Sequence, residues 1–146
     1  MADKGHKTEL EIFLGFLNKR GKSLTNQRKL VIEQIFRVHK HLEADDIVQA
    51  LRKKNQRVAR ATVYRTIKLL EDCGLIKKVD LGSDYTYYEH THGHLHHEHI
   101  CCEQCGMVEE FTDPVLEERI RRVAKDNNFK LTDHSVQIFG ICQNCM

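Results

Sequence analysis

The sequence has 146 residues, which is enough for one ordinary domain or two small ones. A hydrophobic content of 40% is enough for a core and argues against a mainly disordered chain. No apolar run approaches the roughly 18 residues that a membrane-spanning helix needs, and the N-terminus lacks the apolar core of a secretory signal. We therefore expect a cytoplasmic protein with no membrane partner.

The net charge of +2 hides an uneven distribution. Residues 1–82 carry 18 lysines and arginines against 10 acidic residues, whereas residues 83–146 carry 5 against 11. A basic first half attracts a polyanion, and an acidic second half rich in histidine and cysteine attracts cations. The alternative is that the basic helices are simply solvated.

Apolar residues at helical spacing predict four helices in the first half of the chain. The first spans residues 7–20, and the second follows Thr25, which is a suitable N-cap residue. The third spans residues 44–54 with Ile47, Ala50 and Leu51 inward. The fourth spans residues 60–73, and Gly74 ends it.

The pattern changes after Gly74, where two short β-type runs, 75–79 and 85–89, predict a hairpin. Helices followed by a hairpin are typical of a winged helix-turn-helix. The remainder predicts strands at 96–101, 107–111 and 134–141 and a helix at 114–127. We therefore predict an α/β (α+β) protein with three parts: a winged-helix domain (1–89), a hinge (90–95) and a small α/β dimerisation domain (96–146).

The fourth helix is the candidate for reading DNA. With Val63 and Ile67 buried, its free face carries an aromatic residue and two cations, a combination that suits a major groove. Arginine and lysine contact mainly phosphates, whereas tyrosine can reach a base edge. The predicted DNA contacts are Tyr64, Arg65 and Lys68, with Lys22, Arg28 and Arg57 as further phosphate contacts.

Four of the six cysteines form two CxxC pairs, Cys102 with Cys105 and Cys142 with Cys145. Two such loops complete a tetrahedral shell of four sulfurs, which is typical of structural zinc. A thioredoxin-like redox pair is the alternative. Cys73 and Cys101 lie outside both pairs, and Cys73 is interpreted as a small core residue.

A histidine-rich segment precedes the first CxxC pair. Side chains alternate between the two faces of a strand, so a strand over 96–101 places His97 and His99 on one face and His96 and Glu98 on the other. One strand would thus supply two different metal sites. His90, His92 and His94 are interpreted as core or surface residues, or as accessory ligands.

Several segments resemble the ferric uptake regulator (Fur) family. Ala61-Thr-Val-Tyr-Arg65 and the following 69–76 are similar to its recognition-helix signature. The segments 24–28 and 41–47 are similar to its earlier helices. The resemblance spans roughly residues 15–146.

This resemblance implies three ligand sets, including residues far apart in the chain. It assigns the four CxxC cysteines to structural zinc. Its regulatory set corresponds to His41, Glu89, His97, His99 and Glu110, with one inserted residue between Glu89 and the strand. Its second set corresponds to His96, Glu98, Glu117 and His134.

Shells of histidine and carboxylate suit Fe(II) or Mn(II) at the regulatory position, and Zn(II) or Co(II) can substitute. The peroxide-sensing branch of the family typically has aspartates where Glu89 and Glu110 stand here, which favours an iron-responsive repressor. A peroxide sensor and a zinc- or manganese-responsive member are the alternatives. The partners implied are double-stranded operator DNA and a second copy of the chain, as a dimer or a tetramer.

Two further hypotheses assign the protein to other functional classes. A small zinc metallohydrolase could use histidine, glutamate and zinc to activate water, but the sequence has no HExxH motif and a shell of four sulfurs leaves no open position. A metal-buffering or protein-interaction module would leave the winged-helix half unexplained.

Overall fold

A computed structural model describes residues 8–38, 41–91 and 96–146. These residues form two compact units. The first comprises 8–38, 41–79 and 84–91, and the second comprises 80–83 and 96–146. His92, His94 and most of the predicted hinge lie outside the described residues, so the predicted domain boundaries stay predictions.

The first unit contains the four predicted helices. Their bounds are α1 (Glu9–Lys19), α2 (Asn26–Arg37), α3 (Ala44–Lys53) and α4 (Arg60–Asp72). Thr8 begins α1 with a reciprocal capping box, and Thr25 begins α2 by accepting the N–H of Arg28 at 3.2 Å. The predicted N-cap at Thr25 is therefore confirmed.

Helix α4 begins without a side-chain cap. Its N-cap residue is Ala59, and Thr62 lies inside the first turn, where its carbonyl accepts the Thr66 hydroxyl at 2.7 Å. The helix ends before Gly74, whose φ of 80° lies in the left-handed region that favours glycine. Packing of its apolar face, rather than capping, therefore stabilises the start of this helix.

The four helices pack around one core, and the inward face of α3 differs from the prediction. Val48 is 5% exposed and belongs to the core, whereas Ala50 is only half-buried. The buried stripe of α3 is Ala44, Ile47, Val48 and Leu51, which follows the i, i+3, i+4, i+7 spacing of one helix face.

A three-stranded antiparallel sheet completes the first unit. Its strands are β1 (Leu42–Glu43), β2 (Ile76–Val79) and β3 (Tyr87–His90), in the order β1-β3-β2. The predicted hairpin is confirmed, with its second strand displaced toward the C-terminus. Strand β1 was not predicted. Its pairing with β3, Leu42 opposite Tyr88, brings the start of α3 beside the hairpin.

The second unit is a three-stranded sheet with one helix. Its elements are β4 (Glu98–Cys102), β5 (Val108–Phe111), α5 (Pro114–Asp126) and β6 (Gln137–Gly140), in the sheet order β5-β4-β6. Strand β5 pairs with β4 antiparallel and β6 pairs with it parallel. The α/β fold class is confirmed. Among the described residues, no helix is long and apolar enough to cross a membrane.

Candidate metal centres and nucleic-acid interface

The two CxxC loops converge in the second unit. Cys102 ends β4, and the parallel register places it opposite Gly140, two residues before Cys142. Gly106, with a φ of 75°, completes the turn after Cys105. The four sulfurs of Cys102, Cys105, Cys142 and Cys145 all lie within 4.8 Å of one another.

Backbone dipoles prepare one of these thiols to ionise. Cys102 Sγ accepts the N–H groups of Cys142 at 3.4 Å and Cys105 at 3.5 Å, and these bonds lower its pKa to about 6. Hydrogen bonding to Cys142, followed by burial and by hydrogen bonding to Cys105 and Cys102, raises the pKa of Cys145 to about 12. The four thiols lie so close together that they resist ionising all at once. A zinc ion neutralises such a set of thiolates, so these residues fit a closed tetrahedral shell.

A second convergence joins β4, α5 and the segment before β6. His134 Nε2 lies 2.9 Å from Glu98 Oε1 and 3.0 Å from Glu117 Oε1. His96 Nε2 lies 2.6 Å from Glu98 Oε1 and 3.8 Å from Glu117 Oε1. Two imidazoles and two carboxylates with all donors within 4.8 Å fit a divalent first-row metal.

Glu98 is the centre of this second cluster and is 1% exposed. Burial raises the pKa of its carboxyl group, but hydrogen bonds from His96 and from the Val136 N–H, at 2.5 Å, outweigh burial and leave the pKa below its ordinary value. Glu98 is thus held as a carboxylate in the interior.

His97 and His99 belong to a different group of candidate ligands from His96 and Glu98. Strand β4 begins at Glu98, so His96 and His97 precede the strand that was predicted to start at residue 96. The rings of His97 and His99 have centroids 5.0 Å apart, and His97 Nε2 lies 3.4 Å from Glu110 Oε1. His99 is opposite Glu110 in the register of β4 and β5. The donor atoms of His97, His99 and Glu110 lie within 4.8 Å of one another, so the second unit presents three donors of a histidine/carboxylate shell.

The first unit presents the other two predicted regulatory residues as a pair. His41 Nε2 lies 3.3 Å from Glu89 Oε2, and Lys77 Nζ lies 3.4 Å from Glu89 Oε1. The neighbouring His90 is buried against Phe36, with Nε2 2.9 Å from the Ile35 carbonyl oxygen. His90 thus lies in the core, which agrees with its interpretation as a structural residue.

The predicted DNA-reading side chains lie on the surface of α4. Tyr64 is 43% exposed, and Arg65 and Lys68 are exposed beside it. Lys68 Nζ lies 3.1 Å from Asp72, and hydrogen bonding to that carboxylate raises the pKa of Lys68. Of the further phosphate candidates, Lys22 and Arg57 are exposed, whereas Arg28 is half-buried and donates to the Ser23 carbonyl at 2.7 Å.

Sequence reasoning missed two residues of this surface. Arg60 lies 3.0 Å from Asp45 and donates to the Tyr64 hydroxyl at 3.3 Å. That hydroxyl also donates to Asp45 Oδ1 at 3.3 Å. The i, i+4 spacing of Arg60 and Tyr64 on α4 was the available signal. Asp45 therefore fixes the orientation of the Tyr64 side chain on the surface of α4.

The two remaining cysteines are packed residues. Cys101 is 3% exposed, and Cys73 is half-buried against the core of the first unit. Burial raises the pKa of both thiols.

Comparison with known proteins connects these sites to one family. The model of the ferric uptake regulator family matches residues 19–139. A ferric uptake regulation protein of Bordetella parapertussis is 40% identical over 119 residues, covering 80% of this chain and 85% of that protein. The peroxide-responsive repressor PerR of Staphylococcus epidermidis is 33% identical over 138 residues, covering 94% and 90%.

A solved structure agrees with the sequence comparison. The ferric uptake regulator Fur of Helicobacter pylori, described as having three functional metal binding sites, has a TM-score of 0.79 at 30% identity. The match covers 95% of this chain and 94% of that one. The predicted resemblance is thereby confirmed, and the chain belongs to the ferric uptake regulator family.

Proposed function

We propose that the protein is an iron-responsive repressor that binds operator DNA when a regulatory metal joins its two units. The observation that carries this proposal is the division of donors: the pair His41 and Glu89 lies in the first unit, and His97, His99 and Glu110 lie in the second. Members of the family are transcriptional regulators rather than enzymes, which eliminates the metallohydrolase hypothesis.

In this proposal the four CxxC cysteines hold structural zinc. A filled shell of four sulfurs links the end of β4 to the segment after β6, so zinc stabilises the fold of the second unit. The set His96, Glu98, Glu117 and His134 is a second metal site that ties α5 to the same sheet.

The regulatory set takes a divalent ion through imidazole and carboxylate donors, which suit Fe(II) or Mn(II). Zn(II) and Co(II) fit the same shell, so availability in the cell selects the ion. Glutamates at positions 89 and 110, where peroxide sensors typically have aspartates, favour iron. The similarity to PerR keeps peroxide sensing as the second candidate function.

In this proposal, metal binding acts by fixing the orientation of the first unit relative to the second. A shell completed by both units holds α4, with Tyr64, Arg65 and Lys68, in one position relative to the second unit. In a two-fold dimer this sets the spacing of two recognition helices to two operator half-sites. Metal and DNA then strengthen each other's binding, typically by ~1–3 kcal/mol.

Exposed apolar residues of the second unit support a homodimer. Helix α5 has no buried residue, and Val115, Phe129 and Ile138 are 78%, 73% and 44% exposed. A second copy of this surface would cover them. A DNA-bound regulator of this kind works in the cytoplasm.

The test is operator binding by the zinc-replete protein under anaerobic titration with Fe(II) and Mn(II), followed by brief peroxide. We expect Fe(II) to activate binding, and mass spectrometry to find His41, His97 and His99 unmodified after peroxide. Loss of binding together with added oxygen on any of these histidines would instead identify a peroxide sensor. Operator binding that is independent of metal would contradict both.

A further inference from the structure

Glu89 lies between a histidine and a lysine on the sheet of the first unit. Strand β3 is the central strand, and Glu89 pairs in register with Lys77 of β2. His41 immediately precedes β1 on the other side. Glu89 Oε1 lies 3.4 Å from Lys77 Nζ, and Glu89 Oε2 lies 3.3 Å from His41 Nε2. Both carboxylate oxygens thus have a partner before any metal binds.

We propose that Lys77 is an internal competitor of the regulatory ion for Glu89, and so sets the metal concentration at which the site fills. The inference rests on the proposed function, because it requires Glu89 to be a ligand. Lys77 acts through Glu89 and is itself no ligand, since an ammonium group has no lone pair to donate.

Lys77 stabilises the metal-free state and disfavours the metal-bound state. In the metal-free protein its positive charge compensates a carboxylate whose side chain is only 8% exposed, which stabilises that state. In the metal-bound protein the Lys77 ammonium group either stays beside a divalent cation, which repels it, or moves away from Glu89 into solvent. Both effects oppose metal binding.

The exposure of Lys77 makes displacement feasible. Its side chain is 31% exposed, so the ammonium group has access to water once a metal takes the carboxylate. Lys78, the next residue of β2, is exposed and points to the opposite face of the strand. It therefore provides a control with the same charge in nearly the same place.

The experiment measures Mn(II) affinity of the full-length, zinc-replete protein by competition with a fluorescent chelator, without DNA. We expect K77Q and K77M to lower the dissociation constant about five- to tenfold, the range expected for one charge near a partly solvated cation. K77R and K78Q are expected to match the wild type. E89Q is expected to weaken binding, and K77Q is expected to have no further effect in the E89Q background.

The outcomes distinguish failure of the role of Lys77 from failure of Glu89 as a ligand. Tighter binding by K77Q cannot come from misfolding, which weakens a preorganised site, so it supports competition. If E89Q weakens binding but K77Q and K77M bind like the wild type or less tightly, Lys77 is only a cross-strand partner and this inference is overturned. If E89Q binds Mn(II) like the wild type, the assignment of Glu89 under the proposed function fails, and the role of Lys77 fails with it.

Discussion

Oε1 of Glu98 lies 2.9 Å from Nε2 of His134, a contact between β4 and the segment that leads into β6. The other oxygen of Glu98 accepts the backbone N–H of Val136 in that same segment. The buried carboxylate of Glu98 thus contacts two imidazoles and the backbone segment that leads into β6. This group of candidate ligands is therefore a structural centre of its unit as well as a set of donors.

Replacing Glu98 tests this dual role. We expect E98Q to weaken metal binding at the second cluster at least about tenfold, because the charged donor is lost. We expect the metal-free protein to lose about 1–3 kcal/mol of unfolding free energy, since the buried hydrogen bonds to His96 and Val136 are disrupted. Metal competition and urea unfolding measure the two effects.

Glu118 provides the matched control for this change. It lies on α5 next to Glu117, but its side chain is 62% exposed and pairs with Arg121 on the surface. E118Q should leave both measurements unchanged. Equal effects of E98Q and E118Q would mean that net charge, rather than the buried position, accounts for the result.

The lowered pKa of Glu98 predicts an acid dependence. A carboxyl whose pKa is lower in the folded than in the unfolded protein contributes stability that is present above the unfolded value, here 4.5. That contribution is lost as the pH falls through the lower, folded value. Metal-free wild type should therefore lose its stability advantage over E98Q below pH 4.5, as followed by urea unfolding across pH. A constant difference across that range would contradict the assignment.

Removing one cysteine of the proposed zinc site should unfold the second unit selectively. We expect C142S to lose zinc and to melt residues 96–146 first, because the sulfur cluster links the ends of β4 and β6. Structural zinc contributes on the order of 10 kcal/mol to such folds. Zinc content and amide hydrogen exchange along the chain provide the measurement.

Cys101 supplies the control, because it is adjacent to a cluster member and buried but outside the cluster. C101S should retain zinc and the exchange protection of the second unit. Zinc loss in C101S as large as in C142S would place Cys101 in the shell.

Local periodicity predicted most elements, and non-local pairing explains what it missed. The apolar stripes of α1 to α4 and the alternation around His97 and His99 are properties of consecutive residues. Strand β1 has two residues, too few for any period, and exists because Leu42 pairs with Tyr88. The meeting of Glu98 with His134 depends on the parallel pairing of β4 with β6, which no spacing encodes. Only the family resemblance predicted that convergence.

Arg65 tests the recognition face of α4. Its side chain is exposed, and its Nε donates to the Ala61 carbonyl at 3.2 Å, which directs the guanidinium along the helix surface. As a phosphate contact it should contribute about one unit to the dependence of log K on log salt. We expect R65A to weaken metal-activated operator binding about tenfold at low salt and to flatten that slope by about one.

Arg122, exposed on α5 of the second unit, carries the same charge away from α4 and serves as the matched control. R122A should keep both the affinity and the salt slope, because it removes an equal share of net charge without removing a phosphate contact. If R122A and R65A flatten the slope equally, the attraction comes from the overall charge of the protein, and α4 has no special position on the operator. A change confined to R65A places that helix against the DNA backbone.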